Sequence, residues 1–75
     1  MDIADLMIHV NEAPSPEQRA SIEEALRGVD GVVSSHFSPD QEQLLLVAFD
    51  PGKTDPLEQL ARVKAAGFTG QLVGL

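Results

Sequence analysis

Gln43-Leu44-Leu45-Leu46-Val47-Ala48-Phe49 is the most hydrophobic run of the chain, and Asp50-Pro51-Gly52 closes it. A short apolar run bounded by turn residues reads as a strand. Just before it, Ser38-Pro39-Asp40-Gln41 turns the chain, and Val32 to Phe37 reads as another strand, so the two pair as a hairpin. Asp30-Gly31 is the preceding turn, and Gly28 stands just past a helix, where a left-handed residue is commonly needed. That helix opens on Ser15 as N-cap, Pro16 as first helical residue and Gln18 as the returning partner of a capping box. Ala20, Ile22, Ala25, Leu26 and Val29 form its stripe, most of it carried by Ile22, Leu26 and Val29.

Residues 11–14 are a loop, and residues 3–10 alternate as a first strand, with Leu6, Ile8 and Val10 on one face and Met7 and His9 on the other. Beyond the hairpin, Asp55 caps a second helix, Pro56 opens it, Glu58 completes another capping box and Gly67 stops it. Leu57, Leu60, Ala61 and Val63 or Lys64 are expected on its inner side, and residues 69–73 make a last strand. The order β-α-β-β-α-β is the split-βαβ arrangement. Right-handed crossovers set the first strand beside both the third and the fourth. The fold class is α+β, a ferredoxin-like sandwich: four antiparallel strands, two helices on one face, the other face open.

Seventy-five residues are expected to form one domain, residues 1–75. The formal charge of −7 argues against nucleic acid and anionic lipid, which need a basic surface. Three Phe with no Tyr or Trp give no platform for stacking bases. No apolar run approaches the ~18 residues of a membrane helix, so no insertion is expected. Met1-Asp2-Ile3-Ala4-Asp5 is acidic where a signal peptide would be basic, and the start at Met1 suggests a complete small protein. The chain has no cysteine, which excludes thiolate metal sites and thiol redox work and suits a reducing cytoplasm.

Several stretches in order resemble one family. Ala20-Ser21-Ile22-Glu23-Glu24-Ala25-Leu26 with Gly28-Val29-Asp30-Gly31-Val32 is similar to the first helix and turn of heavy-metal-associated domains. Phe49-Asp50-Pro51 with Lys53-Thr54 resembles the end of their third strand, and Ala65-Ala66-Gly67-Phe68 the step before their last. The resemblance spans nearly the whole chain and includes copper chaperones and N-terminal domains of metal-transporting ATPases. It implies the same fold and a Cys-x-x-Cys at the loop-to-helix junction. Here Ser15 and Gln18 stand at those positions. A hydroxyl and an amide are hard, neutral donors, whereas Cu(I) prefers sulfur, so the metal activity does not transfer.

Each candidate site has a plainer counterpart. Ser15-Pro16-Glu17-Gln18 reads as an altered metal or anion site, or as a capping box whose Glu17 suits the positive helix end. His9 and His36, with Met7 or Met1, offer an alternative for weakly bound copper, nickel or zinc, against two solvent-exposed histidines separated by the third strand. Asp2, Asp5, Glu12, Glu23, Glu24, Asp40 and Glu42 are scattered, without the spacing of a calcium loop. The open sheet face is the sharper signal. Leu44, Leu46 and Ala48 point away from the helices, Met7 lies on the adjacent strand and Val73 joins from the edge. A face toward water should alternate with polar residues, and an apolar patch there marks an interaction surface.

No nucleophile motif or phosphate-cradling glycine loop is present, and so small a domain has little volume for a substrate pocket, so no enzyme is expected. The expected function is a protein-interaction or dimerisation module, with no cofactor, working through Met7, Leu44, Leu46, Ala48 and Val73 on a protein partner or a second copy. The alternatives are a weak His/Met metal carrier or sensor and a small-ligand regulatory domain.

Overall fold

Strand β1 (Ala4–Val10) is followed by helix α1 (Pro16–Arg27), β2 (Val32–Phe37), β3 (Leu44–Phe49), helix α2 (Pro56–Ala65) and β4 (Gly70–Val73). The coordinates are a computed structural model and describe residues 2–73. The strands form one sheet in the order β2-β3-β1-β4, each neighbouring pair antiparallel. β1 is thus flanked by β3 and β4, as right-handed crossovers require. This is the ferredoxin-like α+β fold that the element order implies.

The first helix starts on a complete capping box. Ser15 Oγ accepts the Gln18 N–H at 3.2 Å, and Gln18 Oε1 accepts the Ser15 N–H at 2.8 Å. α2 keeps only half of the expected second box. Asp55 Oδ1 accepts the Glu58 N–H at 2.8 Å, but the Glu58 carboxylate accepts the Thr54 hydroxyl at 3.0 Å. Thr54 is buried, and this bond supplies its hydroxyl with a partner.

Gly28 differs from its expected role, since its φ of −74° is right-handed. The left-handed residue comes later, at Gly31, with φ +101°. A Cβ there would stand 2.6 Å from Lys53 Cβ, so both conformation and space demand glycine. Gly67, with φ +96°, ends α2 as expected. Its N–H donates to the Lys64 carbonyl at 3.0 Å and the Phe68 N–H to the Val63 carbonyl at 3.2 Å. That pair of bonds is the Schellman closure.

The core lies between the sheet and the helices. Leu6, Ile8 and Val10 from β1 and Leu45, Val47 and Phe49 from β3 point into it, where Ile22, Leu26 and Val63 meet them. Ala20 is exposed and takes no part in the α1 stripe. The phase of α2 also departs from expectation. Gln59 and Val63 are buried and Leu60 is half-buried, while Ala61 is exposed and Leu57 is 71% exposed. At 100° per residue, Leu57 and Ala61 each stand about 200° from Gln59. The inward stripe is therefore built around an amide rather than around the leucine.

Candidate functional site

Among the described residues no secondary-structure element covers the sheet face opposite the helices. Pairing registers set its side chains in rows across the strands. His36 lies opposite Leu46, Leu46 opposite Met7, and Met7 opposite Val73, one row through all four strands. On one side of it runs the row Ser34, Ala48, Asp5; on the other, Leu44, His9, Gln71. Met7, Leu44, Leu46, Ala48 and Val73 are half-buried by their neighbours alone. A shallow depression of about 300 Å³ opens there, its rim including Asp5, Met7, Ser34, His36, Leu46 and Ala48. A bulge between Val32 and Ser34 leaves Val33 58% exposed beside it. Asp5 is the only Asp, Glu, Lys or Arg in the four strands.

The two histidines share this face but not a row. His9 pairs with Leu44 and His36 with Leu46. They are two strands apart and one pleat repeat offset, which puts their backbones about 12 Å from each other. The side chains between them are leucines, not the small residue that a shared ion would need. Among the described residues no group of three or more His, Asp or Glu comes together to hold a metal. Met1, the other sulfur candidate, lies outside the described residues.

At the loop-to-helix junction, Ser15 and Gln18 spend their side-chain oxygens on each other's main chain. Each oxygen already accepts one of those bonds, and both are hard, neutral donors. Arg19 Nη1 adds a bond to the Pro14 carbonyl at 3.2 Å. The loop before them is clamped from two sides. The Gln43 amide donates to the carbonyls of Val10, Asn11 and Glu12 at 3.0, 3.1 and 3.3 Å. Glu12 in turn accepts the Thr69 N–H at 2.8 Å and the Thr69 hydroxyl at 2.7 Å. The Thr69 hydroxyl, and next its N–H, hold the Glu12 carboxyl below the usual carboxylate range. Sequence reasoning missed Gln43 and Thr69 and placed Glu12 among scattered acids. Its partner is 57 residues away, and no local pattern announces such a bond.

No family model and no curated protein matches the chain. Solved structures do. A copper-binding domain from HMA7, a P-type ATPase, is 23% identical, with 93% of each chain covered and a TM-score of 0.85. Oxidized MerP from Ralstonia metallidurans is 16% identical over 97% of this chain and 100% of its own, at 0.87. The copper chaperone of Enterococcus hirae in its apo form is 20% identical over 91% of this chain and 98% of its own, at 0.81. The chain therefore has the fold of heavy-metal-associated domains, as its sequence resemblance implies. It carries that fold without a cysteine. Among the described residues no helix is long and apolar enough to cross a membrane.

Proposed function

We propose that this chain is a non-catalytic, heavy-metal-associated-like module that works as a protein-interaction domain through its open sheet face, without thiolate metal binding. The carrying observation is the row His36, Leu46, Met7, Val73, in which three adjacent strands present apolar side chains beside one imidazole, with nothing above them among the described residues. Sheets toward water normally alternate, and a continuous apolar row departs from that pattern. The junction supports the second half of the reading. Two neutral oxygens already committed to a helix cap offer a soft cation nothing that it prefers.

A photo-crosslinking side chain in place of Leu46 tests the reading in cells, with the same group in place of the exposed Ala20 of α1 as control. Protein adducts are expected from position 46 and not from position 20. Equal trapping at the two positions overturns the assignment of the face.

A further inference from the structure

The geometry points to a second copy of this chain as the occupant of the open face, docked about a two-fold axis that runs along the row His36, Leu46, Met7, Val73. This rests on the reading of that face as the interaction surface and adds the partner and its register.

The face is complementary to itself about that row. Asp5 and His9 lie on β1 two residues to either side of Met7. On β3, Ala48 lies opposite Asp5 and Leu44 opposite His9, two residues to either side of Leu46. A half-turn about the row exchanges its two sides. It sets Asp5 of one copy over His9 of the other, and Leu44 over Ala48, each twice, as a closed two-fold requires. A carboxylate then meets an imidazole N–H donor, and a large side chain meets a small one. Along the axis the apolar centre meets its own image, Leu46 on Leu46 and Met7 on Met7. Other half-turns lose this match. An axis along the strands between β1 and β3 would put Asp5 over Ala48 and His9 over Leu44, leaving both polar groups without partners.

Charge placement permits the contact. The chain carries −7, yet its strands contribute one carboxylate and no Lys or Arg. The remaining acids sit on the helices, in the turns and loops and in the N-terminal segment, outside the strands. Two sheets packed face to face keep their strands within about 30° of each other, which this axis satisfies. Four strands at about 4.8 Å and some six residues at about 3.3 Å give a planar footprint of about 400 Å². That is about half of the ~800 Å² per partner in a standard interface, so the pairing is expected to be weak and reversible.

Sedimentation equilibrium of the intact chain up to about 1 mM resolves such an affinity. The native chain is expected to dimerise. His9→Glu sets two carboxylates together and is expected to weaken the dimer at least about tenfold, a loss of the size seen when like charges meet at an interface. Adding Asp5→Lys to His9→Glu is expected to restore it. Within one copy these two positions are about 13 Å apart along the strand, so a rescue reads a contact between copies. Ala48→Leu alone is expected to weaken the dimer, and Leu44→Ala added to it to recover part of the loss. A native chain that stays monomeric throughout overturns self-pairing, while adducts at position 46 would keep the face as a surface for another protein. A dimer abolished by Leu46→Asp but not rescued by the charge exchange overturns this axis and leaves the face standing. A dimer indifferent to Leu46→Asp overturns both.

Discussion

The Glu23 carboxylate accepts the main-chain N–H of Phe37 at 2.7 Å, so a helix side chain occupies the outer edge of β2. Arg27, one turn on, donates to the Ser35 carbonyl at 3.0 Å and lies 3.9 Å from Glu23. α1 therefore fills two of the groups that an added strand would need. Glu23→Ala is expected to cost about 1–2 kcal/mol, since a part-buried N–H loses a charged acceptor. It is also expected to raise aggregation, and Glu23→Gln, which keeps an oxygen acceptor, to lose less. Urea midpoints and light scattering check the pair; a Glu23→Ala protein as stable and as dispersed as the native one would contradict the edge cover.

Gln59 is fully buried, and among the described residues neither its amide nitrogen nor its amide oxygen has a partner. An unpaired amide in an apolar interior carries its desolvation cost uncompensated. Gln59→Met keeps the length and removes both groups, and is expected to raise stability by about 1 kcal/mol or more. The urea midpoint should rise with the slope unchanged. A lower midpoint would mean that the amide is satisfied in solution.

The Glu12 carboxyl titrates below its usual value of 4.5 because Thr69 bonds its charged form. A depressed carboxyl contributes stability above its unfolded value and loses it as pH falls through the folded one. The clamp between the loop and β4 should thus hold at neutral pH and release only on the acid side of 4.5. The Thr69 amide proton reports it directly by NMR. Its signal is expected to shift with that titration in the native chain and to stay flat in Glu12→Gln.

Ser15→Cys together with Gln18→Cys places two sulfur donors at the helix start, where the dipole lowers a thiol's pKa. This pair is expected to retain one equivalent of Cu(I) against a competing chelator, at a cost of about 1 kcal/mol for the lost cap. The native chain is expected to yield its copper fully. Equal retention by both proteins would place the metal elsewhere in the molecule.

What the sequence discloses about this molecule is local or topological. Ser15-Pro16 and Asp55-Pro56 mark both helix starts, because caps depend on residues within one turn. The face residues Met7, Leu44, Leu46 and Val73 follow from pleat alternation plus handed crossovers. The phase of α2 was hidden, because an apolar count favours Leu57 and cannot see that Gln59 is the buried residue. Gly31 reads in the sequence only as part of a turn, since what demands glycine there, a left-handed backbone and the approach of Lys53 twenty-two residues on, is set by the folded chain. The cover on the β2 edge was equally hidden, because it depends on how closely α1 runs beside that strand.

Gln43 ends the hairpin turn and begins the sheet, yet its amide is the knot that gathers three successive carbonyls of the segment leading to α1. One side chain thus ties the hairpin end of the sheet to the segment that enters α1, a link made to main-chain carbonyls and not through the side chains of the hydrophobic core.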